Sequence, residues 1–457
     1  MTHDTIIALS TPYGVGAIAM VRLSGDQAVS LTNRLFQSKF GNKDINKMAS
    51  HTIHLGYLKN GDEILDEVLV SIFKNPNSYT GEDLVEISCH GSTYIQASII
   101  RLFIENGARA AEAGEFTLRA FLNGKMDLSQ TEAVADLIHT QSEAANNIAI
   151  KQLRGGFSNE LSQIKQNLIH FASLIELELD FAEEDVEFAD RKQLESMVVD
   201  AMKHIEKLVL SFKLGNAIKN GVNTIIVGKP NAGKSTLLNT LINEDRAIVT
   251  EIAGTTRDTI EEVLTIDGIL FRFIDTAGLR ETSDIIEKIG VEKTLEKLSK
   301  SDIYIYLFDV NSTSISDLEF ELNALPKNIP HIIVGNKSDL ADEKLMQSFK
   351  EFDIEIFFIS AKNKESIDIL KSQLINNLEL NKIDSNTTII SNARHYDALQ
   401  LVKNSLDDVL TGLKEKVSND LVAIDLRQAL YHLGSITGEV SSDDILGNVF
   451  ANFCIGK

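Results

Sequence analysis

The sequence predicts a chain of mixed α/β and α class: an α/β domain over 1–122, a helical domain begun over 123–214 and completed over 383–457, and a second α/β domain over 215–382 inserted between its halves. Three observations predict it. The opening residues mix short β-like runs with turns, in "TIIALS", "GAIAMVRLSG", "EVLVSIF" and "LVEISCHG". From "LSQTEAVADLI" apolar residues recur at helical spacing, through "LSQIKQNLIHFASLIELELDF" and then at Leu194, Val198, Ala201, Ile205, Leu208 and Phe212. From "GNAIKNGVNTIIVGKPNAGKST" to "LKSQLINNLEL" strands alternate with helices. Helical periodicity then returns at Leu399, Val402, Leu406, Val409 and Leu413, followed by "LRQALYHLGSI". A helical block interrupted by a compact α/β unit is the pattern of one domain inserted in another, so the ends of the insert, near 215 and 382, are expected close together. Ser129 and Glu132 read as an S-x-x-E capping box at the first helix start, and "AEEDVEFAD" as a solvated acidic loop.

At 457 residues the chain has room for several cores, and 43% apolar with 24% charged residues is the balance of a globular protein, not a disordered one. No run approaches the roughly 18 apolar residues of a spanning helix. "MTHDTIIALSTP" lacks the basic start and long apolar run of a signal peptide, so a cytoplasmic protein with no membrane association is expected. Cys89 and Cys454 are too few to staple a chain of this size, in keeping with a reducing compartment. The net charge of −22 argues against broad binding to a phosphate backbone, which clustered Lys and Arg would supply. A nucleic-acid substrate would need a local basic patch or a more basic partner.

"VGKPNAGKS" is G-x-x-x-x-G-K-S directly after the predicted strand "NTIIV". Gly228 and Gly233 let the backbone curl so that N–H groups point at phosphate, Lys234 reaches the β and γ oxygens, and Ser235 ligates Mg²⁺. Asn231, Ala232 and Thr236 belong to the same phosphate cradle. Downstream come "DTAG" (Asp275, Thr276, Ala277, Gly278), "NKSD" (Asn336, Lys337, Asp339) and "SAK" (Ser360, Ala361). Asp339 discriminates, because a carboxylate accepts from the ring N–H and amino group of guanine, donors that adenine does not offer there. The nucleotide is read as GTP and the insert as a Ras-like P-loop GTPase domain. "GTTRD" fits a switch segment with Thr256 meeting Mg²⁺ and the γ-phosphate, and Gly254 and Thr255 are counted with the nucleotide site. After "DTAG", where Ras-like enzymes place a water-orienting glutamine, stands Leu279. Arg280, Glu281, Asp284 and Glu287 follow within one stretch, and spacing does not choose among them. Arg257 reads either as a finger or as a salt-bridged loop residue.

With "GKPNAGKS", "AIVTEIAGTTRD", "DTAGLRETSDIIEKIG" and the terminal "FCIGK", the chain resembles the MnmE (TrmE) family, GTPases of tRNA wobble-uridine modification, along nearly its whole length. The resemblance implies that Asn231, Thr250, Ile252 and Thr255 hold K⁺ beside the phosphates in place of an arginine finger. It implies that Glu287 orients the water and that two GTPase domains meet when GTP binds; Lys234, placed by the phosphate-loop motif, is counted as a further catalytic group, and Thr250, Glu251, Ile252 and Ala253 join the nucleotide site. It gives the N-terminal domain two tasks, dimerisation and binding of a formyl- or methylene-tetrahydrofolate through Arg22, Glu86 and Lys125, joined by Lys457 from the tail. Glu86 suits the amino-pterin edge, and Arg22 and the lysines suit carbonyl and carboxylate groups. It implies a homodimer that forms a heterotetramer with an FAD protein resembling MnmG. Together they add an aminomethyl or carboxymethylaminomethyl group to C5 of the wobble uridine of certain tRNAs. Such a partner could hold most of the tRNA, which reconciles the acidic balance.

Cys454 stands fourth from the end, where C-a-a-X proteins are prenylated, but Gly456 is not aliphatic, Lys457 is an unusual last residue and the upstream "SSDDILGN" is acidic. The tail is instead expected to fold back so that Cys454 and Lys457 complete the folate pocket. Cys454 is then either a nucleophile activated by the lysine or a packing residue. The alternative is a regulatory GTPase, such as a ribosome-assembly factor, whose flanking domains only bind partners.

Overall fold

The computed structural model describes residues 4–41, 43–180, 191–244, 262–274, 298, 301–351, 354–377, 388–440, 443–451, 453, 454 and 456. Contacts divide the chain into two compact units, one built from Met1–Ile138, Gln152–Ser162 and Leu433–Lys457, the other from His139–Lys151 and Gln163–His432. In chain order the elements are β1 (Ile6–Leu9), β2 (Ile18–Ser24), α1 (Ala28–Leu35), β3 (Phe36–Ser38), β4 (Thr52–Asn60), β5 (Glu63–Phe73), β6 (Leu84–His90), α2 (Thr93–Glu105), β7 (Arg109–Ala110), α3 (Glu115–Leu122), α4 (Leu128–His139), α5 (Glu143–Leu153), α6 (Gly156–Asp180) and α7 (Arg191–Asn220). There follow β8 (Val222–Val227), α8 (Lys234–Glu244), β9 (Glu262–Ile266), β10 (Ile269–Phe273), β11 (Ile303–Asp309), α9 (Ile315–Asn323), β12 (His331–Asn336), α10 (Glu343–Lys350), β13 (Ile356–Phe358), α11 (Ile367–Asn376), α12 (Ala393–Glu415), α13 (Asn419–Thr437) and α14 (Asp443–Ala451).

In the first unit the sheet runs β3-β4-β5-β6-β2-β1-β7, antiparallel except for β1 beside β7. The two-residue alternation of each strand decides its faces. Val21 and Leu23, Val68, Val70 and Ile72, and Val85 and Ile87 are buried in one core with Val29 and Leu31 of α1 and Ile99 and Phe103 of α2. Arg22 and Glu86, one residue out of phase with these, sit directly opposite each other across β2 and β6 and point to the other face. Helix α4 corrects the expected capping box. Asp127 is its cap: the Asp127 Oδ1 accepts the Gln130 N–H at 2.9 Å and the Gln130 Oε1 accepts the Asp127 N–H at 2.9 Å. The box is therefore D-x-x-Q, and Ser129 and Glu132 lie inside the helix, buried.

In the second unit the sheet order is β13-β12-β11-β8-β10-β9, parallel apart from β9. Asp267 and Gly268, both at positive φ, make the tight turn that an Asp-Gly pair favours between β9 and β10. β11 is apolar and buried from Ile303 to Phe308 because both faces are covered, and only Asp309 at its end is polar. Ile303, Ile305 and Leu307 pack with α8 and α11, while Tyr304, Tyr306 and Phe308 pack with Leu318 of α9 and Phe349 of α10. The helical periodicity is realised in α7 and α12, where Val198, Ile205 and Leu208 and Leu399, Val402, Leu406 and Val409 are buried. Phe212 stacks on Tyr396 with ring centroids 4.4 Å apart, and Lys403 pairs with Glu206 at 2.9 Å. Helix α7 continues past 215 to Asn220 before the first inserted strand begins. The returning chain crosses it there: the Ile390 N–H donates to Ser211 Oγ at 3.0 Å, and a Cβ on Gly215 would lie 2.0 Å from the Ile390 carbonyl oxygen. The stretch "AEEDVEFAD" lies outside the described residues.

Candidate functional site

Strand order reverses at β8, which has β10 on one side and β11 on the other, and in open α/β sheets ligands bind at the carboxyl ends of the strands at such a switch point. The phosphate loop leaves β8 there and runs into α8. Its glycines are required by close packing as well as by φ. A Cβ on Gly228 would lie 1.9 Å from the Leu307 carbonyl oxygen, and one on Gly233 would lie 2.2 Å from Asn336 Nδ2. Asn231 holds a left-handed φ of 63° and is exposed, Ala232 is buried, and Thr236 is exposed in the first turn of α8. The Lys234 ammonium donates to the Gly228 and Lys229 carbonyls at 2.7 and 2.8 Å, and burial pushes it below its ordinary pKa. Ser235 follows at the start of α8, whose N-terminal N–H groups face the loop.

The other two loops are laced to this one. Asn336, buried at the end of β12, donates to the Ala232 carbonyl at 2.8 Å and accepts the Ala361 N–H at 3.0 Å, so its amide joins phosphate loop and "SAK" turn. Ser360 is buried and its Oγ accepts the Asn363 N–H at 3.2 Å. The Thr240 hydroxyl of α8 donates to the Ala361 carbonyl at 2.8 Å. Lys337 has a left-handed φ of 63° and donates to Asp309 Oδ2 at 2.7 Å. Burial raises the Asp309 carboxyl, but Lys337 and the Asn311 donors outweigh it and hold the group below its ordinary value. Asp339 is exposed two residues on. Thr240, Asp309 and Asn311 were not expected from sequence; the only signal was a lone aspartate ending the apolar run "IYIYLFD".

In the first unit, Arg22 Nε and Nη2 donate to Glu86 Oε1 at 3.0 and 2.8 Å. The guanidinium stands 5.3 Å from the Tyr79 ring centroid and 5.7 Å from that of Phe116. Lys125 is exposed and donates to the Pro76 carbonyl at 2.9 Å, in the loop that carries Tyr79. The tail reaches this cluster. Phe453 is buried and packs at a tilt against Phe450, Cys454 is exposed, and the Gly456 carbonyl accepts from Ser10 Oγ at 3.2 Å and from Arg22 Nη1 at 3.4 Å. Gly456 has φ +96°, and a Cβ there would lie 2.2 Å from the Leu9 carbonyl oxygen. By contrast Cys89 is buried in the sheet core, its thiol pushed up to about 11 by burial and by Asp66.

A family model described as the MnmE helical domain matches residues 128–454, and one described as the GTP-binding protein TrmE N-terminus matches residues 5–125. A protein of Flavobacterium psychrophilum named tRNA modification GTPase MnmE is 55% identical over 461 residues, covering 100% of this chain and 99% of its own. Proteins of the same name from Cytophaga hutchinsonii and Bacteroides thetaiotaomicron are 53% and 47% identical, covering 99% and 100% of this chain and 98% and 100% of theirs. The chain belongs to the MnmE family. The MnmE helical match begins at the first residue of α4 and includes Cys454, so it brackets the inserted parallel sheet. Of the residues expected at these sites, Thr250, Glu251, Ile252, Ala253, Gly254, Thr255, Thr256, Asp275, Thr276, Ala277, Gly278, Glu287 and Lys457 lie outside the described residues, as do Arg257, Leu279, Arg280, Glu281 and Asp284. Among the described residues no helix is long and apolar enough to cross a membrane.

Proposed function

We propose that this MnmE-family chain hydrolyses GTP in the modification of tRNA wobble uridines. One observation carries the reading: the phosphate loop, the Asn336–Asp339 turn and the Ser360–Ala361 turn meet at the carboxyl edge of one parallel sheet, joined by the Asn336 amide. Backbone N–H groups of the loop and of α8 receive phosphate, Lys234 turns its ammonium to the phosphate oxygens, and Asp339 accepts from guanine. Asn231 and Ser235 offer oxygen donors of the kind that hard cations take, so they fit K⁺ and Mg²⁺ respectively, with Thr250, Ile252, Thr255 and Thr256 completing the two sets. Bound there, K⁺ supplies positive charge where negative charge develops on the phosphates. Glu287 orients the attacking water.

The first unit takes a tetrahydrofolate derivative that supplies the one-carbon unit. Arg22 and Glu86 offer donors and an acceptor beside two aromatic rings, which suits a flat heteroaromatic with a polar edge, and Lys125 and Lys457 suit its carboxylates. The protein acts in the cytoplasm as a homodimer with an FAD-containing partner that holds much of the tRNA.

The test measures GTP turnover of the full chain in K⁺, Na⁺ and Cs⁺ at equal ionic strength. K⁺ is expected to exceed the others by roughly 10³-fold, the size of an arginine-finger contribution, and equal rates remove the cation from the mechanism. Glu287→Ala should lower kcat and leave GTP affinity nearly intact. Folate binding by the full chain separates this reading from a regulatory GTPase whose flanking domains only hold partners; its absence favours the latter.

A further inference from the structure

The guanine-reading turn is held by side chains from the neighbouring strand. Asp309, at the end of β11, accepts from the Lys337 ammonium at 2.7 Å and from the Asn311 backbone N–H at 3.0 Å. The Asn311 side-chain amide donates both to Asp309 Oδ1, at 3.3 Å, and to the Lys337 carbonyl, at 3.1 Å. Lys337 is thus gripped at both its ammonium and its carbonyl, while its backbone is left-handed, a conformation that a residue with a Cβ holds only when its surroundings over-determine it. Asp339 follows in the short 3₁₀ turn Ser338–Leu340, whose Leu340 N–H returns to the same Lys337 carbonyl at 3.1 Å. The strand ends do not need these side chains to stay paired. Asp309 and Asn336 are in register in the ladder, and the Val310 N–H donates to the Asn336 carbonyl at 3.2 Å.

We propose that Asp309 and Asn311 are positioning residues for base recognition, holding Lys337 in its left-handed turn so that the Asp339 carboxylate meets the N–H and amino group of guanine. The proposal rests on the reading of this site as a GTP site and adds two residues that set its selectivity. Asp309 and Asn311 act through Lys337 and do not touch the nucleotide. Because the backbone ladder persists without them, their loss frees the turn and leaves the sheet standing.

The experiment compares the full chain with Asp309→Asn and Asn311→Ala, using displacement of a fluorescent GDP analogue by GDP and by IDP, whose base lacks the amino group. Asp309→Asn is expected to weaken GDP binding about tenfold, as loss of a charge-assisted hydrogen bond does, and to weaken IDP binding less, so the GDP-over-IDP preference falls several-fold. Asn311→Ala should move both in the same direction by a smaller factor. In steady-state GTP hydrolysis the change should fall on KM, with kcat within about twofold of wild type. Circular dichroism confirms that each variant is folded; Asn311 is exposed, so its variant decides if Asp309→Asn does not fold. An unchanged GDP-over-IDP preference in the folded variants overturns the proposal, as does an equal loss for both nucleotides, which would mean general damage to the pocket. A wild-type chain that binds neither nucleotide overturns the GTP reading itself.

Discussion

At the phosphate loop and the "SAK" turn the polar side chains direct their bonds to backbone: Lys234 to Gly228 and Lys229, Asn336 to Ala232 and Ala361, Thr240 to Ala361. In the first unit they direct them largely to one another. Arg22 pairs with Glu86, Arg109 with Asp4 and Glu115, and the buried Arg119 with Asp4, Glu82 and Glu115. The first arrangement sets the shape of a loop and leaves its N–H groups to recognise phosphate whatever the surrounding charge. The second sets charge against charge, so it depends on pH and on both partners being present.

The largest consequence belongs to the loop whose shape matters. Gly228→Ala places a Cβ 1.9 Å from the Leu307 carbonyl, backbone that cannot swing away, at a φ of 145°. With strain of roughly 3 kcal/mol, GTP affinity should fall on the order of 100-fold or more in nucleotide displacement. Folate binding and the circular dichroism of the full chain should be unchanged. A loss of folate binding as well would show that the two sites are not independently held.

Next comes the charge pair. Arg22→Met leaves Glu86, only 19% exposed, without its cation, and takes the ceiling from the Tyr79 and Phe116 rings. Folate affinity should drop about tenfold or more, while GTP hydrolysis stays within twofold. Deleting the last four residues removes the Gly456 carbonyl from Ser10 and Arg22 and should weaken folate binding by a smaller factor, while abolishing tRNA modification. Cys454→Ser alone separates chemistry from packing, because Cys454 is exposed and its loss leaves the docked Phe453 and Gly456 in place. A truncated chain that binds folate and modifies tRNA normally would show the tail to be dispensable.

A smaller effect is expected in acid. Burial raises the Asp4 carboxyl, but hydrogen bonds and charge from Arg109 and Arg119 outweigh it and lower it from 3.8 to about 2. A carboxyl held lower in the folded chain contributes stability that is fully present above about pH 4 and is lost as pH falls toward 2. Asp4→Asn should therefore cost the first unit about 1 kcal/mol at neutral pH, discounted for an exposed pair, and flatten its stability between pH 4 and 2. The chain has no tryptophan, so circular dichroism is the measurement. The same slope in both proteins would mean that Asp4's pairs with Arg109 and Arg119 carry no stability.

This contrast also decides what could be read from the sequence. The phosphate loop was legible because a single turn needs its glycines and lysine within one short run, and the strand before it and helix after it were legible from period alone. The role of Asn336 in stitching was not, because its partners Ala232 and Ala361 come from other loops and are brought to it only by the sheet order. Arg22 and Glu86 were named through the family resemblance; their pairing is a matter of register between β2 and β6, which composition does not encode. The start of α4 was misplaced because D-x-x-Q at Asp127 and S-x-x-E at Ser129 both satisfy the capping pattern on the same helix, and periodicity does not fix a helix end to within two residues.

The smallest expected effect tests the contrast from the other side. Among the described residues a side-chain ion pair also touches the phosphate loop: Lys229, the residue after Gly228, pairs with Glu321 of α9, which also accepts from the Tyr306 hydroxyl. Burial, and then the Glu321 carboxylate, push the Tyr306 phenol far up, so it remains the donor at any physiological pH. The Lys229 carbonyl, however, is already fixed by Lys234 at 2.8 Å, and the Lys229 side chain is 56% exposed. An exposed ion pair is worth about 0.2–1 kcal/mol, so Glu321→Gln should weaken GDP binding by threefold or less. The gap from wild type should shrink further in about 0.5 M salt, since only the charged part of the pair is lost and exposed charges are screened. Tyr306→Phe should be smaller still, because Lys229 keeps its carboxylate. If Glu321→Gln instead weakens GDP binding tenfold, the phosphate loop depends on a charge partner as the first unit's cluster does, and its shape is not set by backbone bonds alone.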